Sequence, residues 1–411
     1  MPKTTAEPVG TSARPTVLLI SRHKATALSA AGRSLLPHAE ADIHLITHPY
    51  GGTDGLDPAD FIGFDVCDFM PGDEVEALCR RRLEEGRFSH VVVIHEKMLM
   101  FAAQLRHDFD LPGMDLATTA LFRDKILMKQ RIATHGTAEL PRFHPLDRID
   151  DLAAIDWSTG PKVIKHRRGL GASEVHIVDN LAEATDLVHG LRFAPGDYEV
   201  EDYIDGPVYH CDSIVLNGKV VFSAASEYIS TPAAYRSSGL LGSVTVTDPE
   251  INTALADLNE RVLAALGIGN GVTHLEAIQR SDGTMVFCEV AGRPGGAAVD
   301  RALEALYGIN ITEIAYRIQC GLPVTLPDPI PNPGDRAAGW VVFYPSNRQI
   351  PPLDRRTQAR LGITETFGRH SAEDRQPRHC TDYACMYVLT AASRSRLLQS
   401  VAELAGRHLV G

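Results

Sequence analysis

Residues 273–296 read THLEAIQRSDGTMVFCEVAGRPGG. Two runs rich in apolar and β-branched residues flank Ser281-Asp282-Gly283, which is the pattern of a β-hairpin. Glu276 lies seven residues before Gly283 and Glu289 six after it, so the two carboxylates fall nearly opposite each other across the strands. Sharing one face, they would reach a common cation pair. Paired oxygen ligands suit Mg²⁺, which keeps several waters and bridges to substrate phosphates. Arg293 follows four residues after Glu289, in the turn GRPGG, and its planar fork suits a phosphate or a developing oxyanion. Two strand glutamates alone would equally describe a solvated face. The reading therefore turns on the rest of the chain.

Working back toward the N-terminus, Lys165 ends the strand-like GPKVIK (160–165) and precedes HRRGLGAS (166–173), with Gly169, Gly171 and Ser173. A lysine followed by a glycine-containing loop suits phosphate cradling by backbone N–H groups. It is not a P-loop, because the lysine comes before the glycines. Lys125 lies 40 residues earlier, in the helical FRDKILMKQRIATHG (122–136). Glu201 and Ile204 belong to YEVEDYIDG (198–206), a strand–turn edge that offers main-chain groups to a base.

In order, RDK (123–125), VIK with its glycine loop (163–173), VEDYIDGP (200–207) and HLEAIQ to FCEVAGRPGG (274–296) resemble the ATP-grasp superfamily of carboxylate–amine ligases. The resemblance covers roughly residues 90–320. EVAGRPGG together with VYHCDSIV (208–215) is most similar to the L-amino-acid ligase branch, which forms dipeptides or related amides. The resemblance implies an ADP-forming ligase that joins a carboxylate to an amine through an acyl phosphate. The alternatives are an ATP-grasp enzyme with another acceptor, of bicarbonate or purine-pathway type, and a nucleotide-binding regulatory protein. Lys125 and Lys165 would contact ATP phosphates, and loop 166–173 would close over the γ-phosphate. Glu201, through its carbonyl, and Ile204, through its N–H, would hold adenine. Glu276 and Glu289 would hold two Mg²⁺ ions, with Mn²⁺ able to stand in, and Arg293 would steady the acyl phosphate and the tetrahedral intermediate.

Two positions depart from the wider pattern. Ala291 stands where many relatives have a metal-binding Asn, and Val208 where many have a ribose-binding Glu. Asp212 or His210 are candidates for the latter role; otherwise they line the substrate side or pair with each other. Further substrate-side candidates are His274, two residues before Glu276, and Gly295 and Gly296, which follow Arg293 and whose small size leaves room for a larger acyl or amino substrate. Glu96 is another, after the strand-like VVVIH (91–95), and Arg236 lies in the polar, turn-like SEYISTPAAYRSSGLLGS (226–243), expected to cover the pocket.

The 411 residues suffice for two to four compact units. The expected class is multidomain α/β and α+β: a disordered lead-in (1–14), a Rossmann-like domain (15–112), small (113–196) and large (197–335) ATP-grasp subdomains, and a C-terminal α+β extension (336–411) packed on the large subdomain. The N-terminal unit carries no GxGxxG after its first strand, so no dinucleotide fingerprint is present. The formal net charge of −12 argues against general nucleic-acid or anionic-membrane binding. No apolar run approaches the ~20 residues of a membrane span, and the N-terminus lacks a secretory core. Seven dispersed cysteines suggest reduced thiols and a cytoplasmic protein. His379, Cys380 and Cys385 lack a second nearby Cys/His pair and read as a loop rather than a metal site. The expected partners are small-molecule acid and amine substrates, and the family's frequent dimers make a homodimer a further expectation.

Overall fold

The computed structural model describes residues 14–409 apart from 24, 31, 50–55, 70–73, 172–173, 192, 233–234, 346–351 and 369–381. The expected lead-in, 1–14, therefore falls almost wholly outside the described residues. The chain divides into two compact units, Met1–Leu116 with Glu313–Thr325, and Ala117–Thr312 with Leu326–Gly411. Among the described residues no helix is long and apolar enough to cross a membrane.

In the first unit, strands β1 (Thr16–Ser21), β2 (Asp42–Thr47), β3 (Gly63–Val66) and β4 (His90–Val92) form a parallel sheet in the order β3-β2-β1-β4. Its strands read as near-continuous apolar runs because both faces are covered. Helices α1 (Glu74–Glu84) and α2 (Leu99–Asp108) pack Leu78, Leu83, Ala102 and Leu105 against Leu18, Ile20 and Val91. Two strands are shorter than the apolar runs suggest. The run 91–95 leaves the ladder after Val92 because the Gln319 side-chain amide takes both main-chain groups of Val93, donating to its carbonyl and accepting from its N–H at 2.9 Å each. In 64–69 the pairing fades after Val66, although Cys67 N–H still donates to Thr47 O at 3.0 Å.

The second unit holds two antiparallel sheets. The smaller is built from β5 (Phe143–Leu146), β6 (Lys162–His166), β7 (Val175–Val178) and β8 (Tyr198–Asp202), in the order β5-β8-β6-β7. Helix α3 (Lys125–His135) precedes these strands, and α4 (Leu181–Gly190) buries Ala184 and Val188 against Ile164, Tyr198 and Val200. Asp124 caps α3 by accepting from the Ile126 and Leu127 N–H groups, which fixes where the helix starts and so where Lys125 stands.

The larger sheet has eight strands: β9 (Val208–Leu216), β10 (Lys219–Tyr228), β11 (Leu240–Thr245), β12 (Gly271–Gln279), β13 (Met285–Ala291), β14 (Ala337–Phe343), β15 (Ile363–Gly368) and β16 (Cys385–Ala391). Their order is β13-β12-β9-β10-β11-β14-β16-β15. The β9–β10 turn is Asn217-Gly218, with φ of +53° and +74°, the left-handed pair a tight hairpin needs. Helix α5 (Pro249–Leu266), capped by Asp248, and α6 (Arg394–Leu409) pack on this sheet. Within residues 336–411, β14, β15 and β16 extend the large sheet itself through the β11–β14 pairing.

The stretch 226–243, expected to be a turn-like cover, is a strand at both ends: residues 226–228 finish β10, and 240–243 begin the mostly buried β11. The polarity there is satisfied internally, since Ser243 Oγ meets His210 Nε2 at 2.9 Å, and Oγ1 of the adjoining Thr245 accepts from Ala338 N–H at 3.0 Å.

Candidate active site

The hairpin β12–β13 sets Glu276 directly opposite Glu289 in the register. Directly opposed residues of an antiparallel pair project to one face. The register slips between Glu276 and Ala277, leaving Cys288 as the extra residue of a bulge. At the start of α3, Lys125 Nζ lies 2.8 Å from Glu289 Oε2 and donates to Gly169 O at 2.9 Å. Lysine, glycine loop and glutamate, well separated in sequence, thus meet in one place. The Glu276 and Glu289 side chains remain 17% and 30% accessible, so a ligand can reach them.

Lys165, on β6, stands opposite Glu199 on β8. Its Nζ is 2.5 Å from Glu201 Oε1, 3.7 Å from Glu199 Oε1 and 3.9 Å from Cys288 Sγ. Lys129 completes the cluster: fully buried, its ammonium contacts Glu199 Oε1 at 2.8 Å and also bonds Glu201. Two cations and two anions balance out of water. Burial works against the charged Lys165, but Cys288, Glu201, Glu199 and Glu289 outweigh it and hold the ammonium well above its usual range. Burial likewise opposes the charged Glu201, yet Lys129 and Lys165 bring that carboxyl down to about 2. Burial pushes the Cys288 thiol up to about 12.

The sequence reading placed Glu201 by its main chain; in the structure its side chain also holds two lysines. Lys129 and Glu199 were missed, although a pattern existed for each. Lys129 lies one helical turn after Lys125, and Glu199 two residues before Glu201 on the same strand face.

A second polar cluster backs Glu276. Tyr228 Oη donates to Glu276 Oε1 at 2.8 Å, and His274 Nε2 lies 3.3 Å from the same oxygen. His274 Nδ1 is 2.8 Å from Asp212 Oδ1, and His210 Nδ1 is 2.6 Å from Asp212 Oδ2. Burial lowers the affinity of His274 for a proton, but Asp212 reverses this and raises it to about 10. Burial and the neighbouring Glu276 hold the Tyr228 phenol well above its ordinary range. The ligand atoms of His210, Asp212 and His274 all lie within 4.8 Å of one another. The short contacts among them, however, have hydrogen-bond lengths.

These positions revise several expectations. His210 and Asp212 pair with each other and are enclosed, so neither reaches out as a substitute for the ribose-binding residue missing at Val208. His274 is buried, with its Nε2 toward Glu276 Oε1. Gly295 is small because of its neighbours: a Cβ there would stand 2.7 Å from Asp212 Oδ1 and 2.8 Å from His274 Nδ1. A Cβ on Gly296, by contrast, would meet nothing within 4 Å. Arg293 is half-buried and donates to Pro294 O at 2.6 Å. Gly171 turns with φ +60°, while Ser173 lies outside the described residues. Ile204 is half-buried in the link after β8. Arg236 belongs to the short helix Tyr235–Ser238, its side chain outside the description. Glu96 is buried in the first unit, at the 3₁₀ turn Glu96–Met98 after β4. His379 and Cys380 lie outside the described residues, and Cys385 is a buried thiol on β16.

No family model matches the chain. It is 25% identical over 254 residues to an L-arginine-specific L-amino acid ligase of Bacillus subtilis, covering 59% of this chain and 60% of that protein. The chain thus spans less than two-thirds of the length of that curated relative. The crystal structure of an L-amino acid ligase from Bacillus licheniformis superposes with a TM-score of 0.77 at 18% identity, covering 97% of this chain and 98% of the other. Carboxyaminoimidazole ribonucleotide synthase from Aspergillus clavatus, complexed with ATP, gives a TM-score of 0.71 at 14% identity, covering 96% and 99%. The likenesses run nearly end to end and establish a shared fold.

Proposed function

We propose that this chain, an ATP-grasp protein by its fold and its relatives, is an ADP-forming ligase that joins the carboxylate of an amino acid or related acid to an amine. The observation that carries the reading is the meeting of Lys125 with Glu289, and of Lys165 with Glu201 beside the Glu276–Glu289 hairpin. The sequence similarity to an amino-acid ligase supports an amino acid as the acid. In the same reading, residues 15–112 are a Rossmann-like accessory domain, 113–196 and 197–335 are the small and large subdomains, and 336–411 complete the large one.

The donor set fits a hard divalent cation: two carboxylates on opposed strand positions, both accessible, beside cations suited to phosphate. Two Mg²⁺ ions bound there would neutralise charge on the triphosphate. Glu276 and Glu289 would be their holders. Lys125 and Lys165 stand paired with Glu289 and Glu201, and each would turn its ammonium to a phosphate oxygen of bound nucleotide. Phosphoryl transfer relies on positioning and electrostatics, which is why the site needs no serine or cysteine nucleophile.

The acid's oxygen would attack the γ-phosphorus, releasing ADP and forming the mixed anhydride. The amine nitrogen would then attack the acyl carbon, phosphate would depart and the nitrogen would lose a proton. Arg293 is the donor suited to the tetrahedral oxyanion, and loop 166–173 would exclude water from the anhydride.

The test is a phosphate-release screen of paired amino acids and related acids, with mass identification of products. ADP formation that needs both an acid and an amine is expected, and Glu289→Gln should abolish it. ATP turnover driven by bicarbonate without an amine would overturn the reading.

A further inference from the structure

The chemistry proposed above uses the Glu276 carboxylate but leaves unexplained why a buried acid lies behind it. Asp212 is fully buried, and both its oxygens are engaged, Oδ1 by His274 and Oδ2 by His210. The register explains the arrangement. Asp212 on β9 stands opposite His274 on β12, and His210 stands opposite Glu276. Alternation along each strand puts all four on one face. Tyr228 on β10 and Ser243 on β11 continue the polar belt, being opposite each other in the next pairing. The belt therefore crosses four strands and ends on Glu276 at one side and Ser243 at the other.

Glu276 is held by this belt at a single oxygen. Tyr228 Oη and His274 Nε2 both converge on Oε1, at 2.8 and 3.3 Å, and Oε2 lies outside these two contacts. His274 cannot rotate without breaking its contact with Asp212 at the far side of the ring. The same two groups carry the turn that follows Arg293, since only the missing side chain of Gly295 lets that backbone lie against Asp212 Oδ1 and His274 Nδ1. One carboxylate thus sets both a strand glutamate and the arginine turn.

We propose that Asp212 is a positioning residue which, through His274 and alongside Tyr228, orients Glu276 for the divalent cation and ties that orientation to the Arg293 turn. The inference rests on the reading of Glu276 as a metal holder. Partners behind a metal ligand commonly change metal affinity about 10- to 100-fold when removed.

The test is Mn²⁺ binding to the full chain in the presence of ADP, followed by electron paramagnetic resonance, with ADP affinity measured separately in EDTA. Glu276→Gln is expected to abolish the ADP-dependent Mn²⁺ signal. Asp212→Asn and Tyr228→Phe should each weaken Mn²⁺ binding about 10-fold or more, with ADP affinity in EDTA unchanged. Asp212→Asn combined with His274→Gln should cost no more than the costlier single change, because Asp212 acts through His274. His274→Gln, which leaves the buried acid intact but removes its link to Glu276, carries the test if Asp212→Asn does not fold, and should weaken Mn²⁺ binding about as much.

Folded variants with wild-type Mn²⁺ affinity, or strictly additive losses, would overturn the inference while leaving the ligase reading in place. A tightly held metal at His210, Asp212 and His274 without nucleotide would overturn it too. Normal Mn²⁺ binding by Glu276→Gln would instead remove the metal reading of the hairpin, and this inference with it.

Discussion

Lys129 has no solvent exposure, and its ammonium is shared between Glu199 and Glu201, so its charge matters for stability before it matters for function. Removing one partner of a buried ion pair leaves an uncompensated charge and costs about 3–5 kcal/mol. Lys129→Met should therefore lower unfolding free energy by that order in urea titration, and adding Glu199→Gln should recover part of the loss. Gly295 is the other position where a single atom counts. With a Cβ due to land 2.7 Å from Asp212 Oδ1, Gly295→Ala must shift the turn that bears Arg293. A misplacement of about 1 Å at a reacting centre costs about 10²-fold. Ligase turnover should fall by roughly that factor while circular dichroism and unfolding midpoint change little.

At the scale of an element, α6 carries a pH-sensitive contact. His408 stacks on Tyr387 at an interplanar angle of 9°, meets its hydroxyl at 3.2 Å and packs against Phe343. Burial, with a smaller contribution from Arg407, lowers its pKa from 6.5 to about 4. Between those values the unfolded chain binds the proton and the folded chain does not. Stability from this contact is thus present above pH 6.5 and lost as the pH falls through about 4. Glu201 acts in the same direction at lower pH: its depressed carboxyl contributes above 4.5 and is lost as the pH falls through about 2. His408→Gln keeps a polar partner for Tyr387 and should flatten the fall in melting temperature between pH 6.5 and 4. A fall as steep as in the wild type would show that other groups set the acid limb.

For the whole molecule, the eight-stranded sheet makes residues 336–411 part of the second unit's structure rather than an appendage. β11 is hydrogen-bonded to β14 on one side and β10 on the other. Deleting 336–411 would uncover the β11 edge and remove the cover over Val244, an open strand that invites aggregation. The truncated chain should be recovered insoluble, or without a cooperative unfolding transition. A soluble truncation that still binds ADP would show that the segment is dispensable.

The local order of residues alone determined the β12–β13 hairpin with its opposed glutamates, the Asn217-Gly218 turn, and the succession of lysine, glycine loop and acidic hairpin. Each depends on neighbours a few positions away, where turn chemistry and strand alternation act directly. Only the tertiary structure decided that Lys125 meets Glu289, that Lys129 and Glu199 complete the charge cluster, and that both ends of the stretch 226–243 lie in strands of the large sheet. It also decided that His210 and His274 converge on Asp212. Those outcomes depend on the register between strands far apart in the chain, and on burial, which makes a charged or hydroxyl side chain seek a partner that local sequence does not name.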